Sequence, residues 1–137
     1  MIFTVHAAPS EDDAMVNVVP LDKTALELGI GLFNEGRYFD AHEAWEGLWL
    51  RAKDAQDKSF LQGLIMAAGA FLHAGKRECT GAATLLAKSV PLLKNGIDAH
   101  PDLLLNDFIQ ALEQIESDKD WCSTGVGAQA LPRIRRV

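Results

Sequence analysis

Residues 60–75, FLQGLIMAAGAFLHAG, constrain the fold more than any other stretch of the chain. Placed on a helix, the segment is apolar on every side and is interrupted only by Gln62 and His73. A helix without a polar face has to be enclosed, so this stretch predicts a central helix around which other helices pack. It falls short of the uninterrupted run of about 20 apolar residues that a membrane-spanning helix requires, and no other segment offers one. At 137 residues the chain has room for one domain with a real core.

Local punctuation supplies the neighbours. Asp22 as N-cap and Gly36 as the residue past the end bound a first helix near 22–35. A second follows near 38–53 and the central one near 57–76. The fourth is expected from about 80 to 94, with Pro91 marking a kink or an early end and Asn95-Gly96 the stop. Pro101 suits a first turn, after which Leu104, Phe108, Leu112 and Ile115 recur at helical spacing. No alternating pattern suggests a strand. The expected class is therefore all-α, a compact bundle of about five helices. Residues 1–20 read as an extended arm over this body, 21–117 as the single domain, and 118–137 as an irregular tail. Its RIRRV run reads as a solvated end.

A net charge of −6 argues against nucleic-acid binding, which rests on clustered Lys and Arg. Cys79 and Cys122, 43 positions apart and in no metal-ligand spacing, read as free thiols in a reducing compartment. The opening MIFTVHAAPSEDD has neither the basic start nor the apolar core of a secretory signal. A cytoplasmic location, away from membranes, is the expectation.

A weak repeat bears on architecture. Gly29, Leu32, Ala41 and Trp45 recur 40 positions later as Gly69, Leu72, Gly81 and Leu85. Small residues at a helix crossing, with a large apolar residue nearby, suit packed helical hairpins. LGIGLFNEGRYFDAHEAW resembles a tetratricopeptide hairpin at Leu28, Gly29, Leu32, Gly36, Tyr38, Ala41 and Trp45. One such unit cannot bury its own face, so a second has to stack on it.

The second helix carries the polar residues of interest. At 100° per residue, Tyr38, His42, Trp45, Glu46 and Trp49 share one arc, with Glu43 at its flank and Asp40, Ala44, Gly47 and Arg51 opposite. His42 and Glu46 thus turn inward beside an aromatic core of Tyr38, Trp45 and Trp49. Buried polar groups need partners, and at i and i+4 these two can reach each other. Gln62 and His73 on the central helix are the other members of the expected polar cluster. They stand 11 residues apart, about 16 Å of helix rise, so one first coordination sphere cannot hold both. The preferred metal set is His42, Glu46 and His73, with Glu43 as general base. HEAWE is not HExxH, so the zincin geometry is absent. The competing reading makes the His42–Glu46 pair a structural device that fixes helix packing. His6 and His100, in expected loops, receive no role.

FNEGRYFDAHEAWEGLWL, FLQGLIMAAGAFLHAG and TGAATLLAKSVPLL occur in that order at suitable distances, and together they resemble domain-of-unknown-function family 309. The resemblance spans about residues 24–95. It implies a compact all-α domain whose most distinctive segment runs from His42 to Trp49. It also implies the label carried by some members, that of a predicted metal-dependent hydrolase, without a substrate. Relatives commonly place Gly-Asn ahead of the Gly-Ala of the fourth helix, where this chain has KRECTGA with Glu78. Two functional expectations follow. One is a non-enzymatic module that contacts a protein partner or a second copy and needs no cofactor. The other is a hydrolase using a divalent metal such as zinc, manganese or iron.

Overall fold

The computed structural model describes residues 22–124 and 131–137. The expected arm and His6 lie outside the described residues, which form five α-helices: α1 Lys23–Asn34, α2 Tyr38–Arg51, α3 Ala55–Gly75, α4 Cys79–Asn95 and α5 Leu105–Ser117. A short 3-10 turn, Ile97–Ala99, precedes the last of them.

The helix ends are set by their caps. Asp22 Oδ1 accepts from the N–H groups of Thr24 and Ala25 at 2.9 and 3.3 Å, satisfying donors that a first helical turn leaves open. α1 stops where Gly36 takes φ +82°. The Gly36 N–H donates to Phe33 O and the Arg37 N–H to Leu32 O, the two bonds of a Schellman motif. The same pair of bonds closes α3, from Arg77 to Ala74 O and from Glu78 to His73 O. There Arg77 itself adopts φ +61°.

Pro91 neither ends nor shortens α4, which runs through to Asn95. Tertiary contacts outweigh the local preference: Leu93 is fully buried against Gly63, and Ser59 Oγ donates to Leu92 O at 2.8 Å. α5 starts at Leu105, leaving Pro101 in the preceding turn.

The helices pair as two hairpins, α1 with α2 and α3 with α4, and α3 also packs on α2. In the first hairpin the Trp45 indole lies over Gly29; it is wholly buried, and its Nε1 donates to Leu26 O at 3.3 Å. In the second, a Cβ placed on Gly69 would lie 3.1 Å from Leu85. The 40-residue repeat therefore corresponds to equivalent close approaches. Between the hairpins, Phe33 gathers Tyr38, Phe71 and Phe108 at centroid distances of 5.1, 6.0 and 5.6 Å. Each such side chain contributes about 1.5–3 kcal/mol by leaving water. α3 supplies the largest share of the core, from Phe60 to Ala74, as its all-round apolar character requires.

Two expectations are corrected beyond the helical body. Cys79 and Cys122 are joined in a disulfide, their Cα atoms 5.5 Å apart. Spacing along the chain hid this, because the turn after α5 folds back onto the first residue of α4. The free-thiol reading falls, and with it the cysteine-based argument for a reducing compartment. Second, RIRRV is no solvated end: Ile134 is 2% exposed and its backbone is held by Asn34. His100 lies in a loop, as expected, and is buried there, stacked on Phe60 at 4.2 Å and 3.1 Å from Asp57. Among the described residues, no helix is long and apolar enough to cross a membrane.

Candidate functional site

α2 presents its two faces as the wheel requires. Ala41, Trp45 and Leu48 are buried, Glu43, Gly47 and Arg51 are exposed, and Tyr38 and Trp49 pack on the core while partly accessible. His42 and Glu46 sit between these zones, with side chains 13% and 11% exposed.

His42 Nε2 lies 3.5 Å from Glu46 Oε2. The groups feel each other's charge, yet the separation is too long for a good hydrogen bond. His42 Nδ1 and Glu46 Oε2 are both buried without a hydrogen-bond partner. Burial pushes the His42 imidazole below its ordinary pKa; the carboxylates of Glu46 and Glu43 pull the other way without reversing the shift. Burial likewise raises the Tyr38 phenol. Phe39, 54% exposed, stacks on the His42 ring at 6.2 Å. On the other side, the Lys58 ammonium lies 4.5 Å from the centre of the Trp49 ring, a cation–π contact. The site is thus a band along α2, with aromatic residues at both ends and two unsatisfied polar atoms between them.

His73 does not complete a three-ligand group with His42 and Glu46. Its Nδ1 is 2.8 Å from Glu78 Oε1, and its ring lies beside Gly81 at the start of α4. Helix geometry gives the reason. Gly69, on the stripe shared by Gln62, Met66 and His73, faces Leu85 of α4. Phe71, about 180° around α3 from His73's stripe, meets Phe33 and Tyr38. His73 and Gln62 therefore share the α4-facing side, where Gln62 is partly buried. Glu78, in the turn before α4, is the partner of His73. Among the described residues, no group of three His, Cys, Asp or Glu side chains is arranged to hold a metal. The donor set does not fit a three-ligand metal centre, and Glu43 is an exposed carboxylate at its edge.

Sequence reasoning missed three contributors. Phe39 stands one turn before Glu43 and three residues before His42, a spacing that could have signalled the stack. Lys58 had no such signal, since its contact depends on how α3 meets α2. The His100–Asp57 pair joins residues 43 positions apart, and only tertiary structure brings them together.

Residues 26–85 match the model of a family described as Domain of unknown function (DUF309). The matched stretch contains α1 from Leu26 onward, α2, α3 and the first turns of α4, and with them His42, Glu46 and His73. No curated protein matches the chain.

Proposed function

We propose that this chain, whose residues 26–85 belong to the DUF309 family, is a small helical module that docks another protein, either a distinct partner or a second copy, on the outer band of α2. The observation that carries the reading is the pair of buried, unsatisfied atoms, His42 Nδ1 and Glu46 Oε2. A buried polar group without a partner costs about 1–3 kcal/mol, and a docked chain that supplies a donor to Glu46 recovers that cost. Phe39, exposed beside them, is the apolar anchor such an interface uses. The tetratricopeptide-like spacing of the first hairpin supports the same class of role.

Replacing Phe39 with a photo-crosslinking phenylalanine analogue tests the proposal, in pure protein for self-association and in cells for a partner. Adducts at Phe39 that disappear with Glu46→Gln are expected. Adducts no stronger than those from an exposed control position, Glu116, would overturn it.

The alternative is a metal-dependent hydrolase with His42, Glu46 and His73 as ligands and Glu43 as base. The orphaned imidazole and carboxylate favour it; the engagement of His73 with Glu78 weighs against it. Metal analysis of the purified chain separates the two readings: stoichiometric zinc, manganese or iron, lost in His42→Ala, would replace the docking proposal. A cytoplasmic location goes with either reading if Cys79 and Cys122 are reduced in the cell, which thiol labelling of intact cells decides.

A further inference from the structure

Residues 131–137 cross the molecule as an extended strap whose contacts are those of a bound peptide. Asn34, the last residue of α1, uses its side-chain amide on a single residue of the strap: Nδ2 donates to Ile134 O and Oδ1 accepts from the Ile134 N–H, both at 2.9 Å. The clamp engages main chain alone, so it is indifferent to the side chain it holds. On the opposite edge the Leu104 N–H donates to Arg135 O at 2.7 Å, the Val137 N–H donates to Asp102 O at 2.9 Å, and Leu103 forms an antiparallel bridge with Arg136.

Side-chain selectivity is confined to a few positions. Ile134 points into the core and Pro132 is buried, while Arg133 and Arg135 are exposed. Arg136 pairs with Asp102 at 3.0 Å and with Glu27. Glu27 and Asn34 are seven residues apart and so lie on one face of α1, about two turns from each other. That face holds the main chain of residue 134 at one end and the Arg136 side chain at the other, while selectivity at 134 comes from the core that the Ile134 side chain enters. Backbone pairing along an edge with pockets for alternate side chains is the logic of strand addition.

We propose that the groove between α1 and residues 102–104 is a recognition site for an extended segment of another protein that carries a branched apolar residue two positions before an arginine. The strap is then the chain's own ligand, seated in competition with that segment. Charge favours this occupant: the groove contributes Glu27 and Asp102 in a chain of net charge −6, and the strap contributes three arginines. The site is separate from the α2 band and stands or falls independently of it.

The probe is a fluorescent peptide of sequence LPRIRRV, titrated against the full chain and followed by anisotropy. The self-ligand reduces apparent affinity by the fraction of groove it occupies, so a chain carrying Ile134→Gly and Arg136→Ala should bind the peptide about tenfold more tightly than the wild type. Adding Asn34→Ala to that chain removes two hydrogen bonds and should weaken binding about tenfold. A peptide with aspartate in place of its isoleucine should not bind. If the double variant fails to fold, Arg136→Ala alone, at a half-exposed position, gives the same comparison with and without Asn34→Ala. A folded, strap-weakened chain that ignores the peptide, or binding unaffected by Asn34→Ala, would overturn the proposal. A strap-exchanged dimer in sedimentation would do so too, by making a second copy the occupant.

Discussion

The Trp45 indole occupies the space that a Cβ on Gly29 would need. That contact fixes the crossing of α1 and α2, and it holds the indole where its Nε1 reaches Leu26 O. Gly29→Ala should therefore destabilise the protein: overpacking of about 1–3 kcal/mol outweighs a helix-propensity gain of up to about 1 kcal/mol. Gly31 and Gly47 are exposed on the same two helices, with nothing within 4 Å of an added Cβ. Alanine at either should stabilise by up to about 1 kcal/mol. Urea denaturation of the three variants is expected to give one negative and two positive shifts. A neutral Gly29→Ala would mean that the indole moves freely.

The His42–Glu46 pair distinguishes a functional site from a structural one by the sign of a stability change. If the band serves binding, its buried polar atoms are retained at a cost, and Glu46→Met should raise stability by about 1 kcal/mol or more while abolishing docking. If the pair instead fixes helix packing, removing one member should cost about 3–5 kcal/mol. Thermal and urea unfolding of Glu46→Met, measured beside its crosslinking yield at Phe39, separates the two outcomes.

The disulfide carries a prediction of its own. Cys79 and Cys122 close a loop across 43 positions, for which chain-entropy reasoning gives a stabilisation of about 4 kcal/mol and general experience about 2–4. The bond ties the first turn of α4 to the turn that places Trp121 against Phe71, 5.9 Å away. Reduction should lower the unfolding midpoint, and Cys122→Ser should reproduce the loss with no further effect of reductant. Thiol titration of the unfolded chain should find no free thiol before reduction and two after it.

What could be read from the sequence was what short-range chemistry decides. Asp22 and Gly36 fix helix ends through atoms within a few residues, so the boundaries of α1 followed from local rules, whereas Asp54, which caps α3 ahead of the expected start near 57, was not read. The inward turn of His42 and Glu46 followed from helical phase alone. His73 shows where that reasoning stops: phase groups it with Gln62 and Gly69, but only packing tells which neighbouring helix the stripe faces. Pro91 misleads in the other direction, because Leu93 and the Ser59–Leu92 bond preserve a helix that local preference would end. The disulfide, the His100–Asp57 contact and the seating of Ile134 join residues 43, 43 and 100 positions apart, and no periodicity encodes such meetings.

Protonation of His42 offers a test of the site's burial. Its imidazole has a folded pKa below the ordinary value because burial penalises the cation, despite the opposing pull of Glu46 and Glu43. Between the folded value and the unfolded value of about 6.5, the unfolded chain binds more protons than the folded one, so stability rises with pH across that window. The contribution is complete above the unfolded value and is lost as pH falls through the folded one. His42→Gln, which cannot take up the proton, should show a shallower decline than wild type when urea unfolding is followed from pH 8 down to pH 5. Superimposable profiles would mean that His42 is solvated in the folded protein, and the docking band would lose its central residue. A steeper decline in the variant would reverse the sign and show the imidazolium to be held by Glu46, as an ion pair that keeps its charge in the folded state.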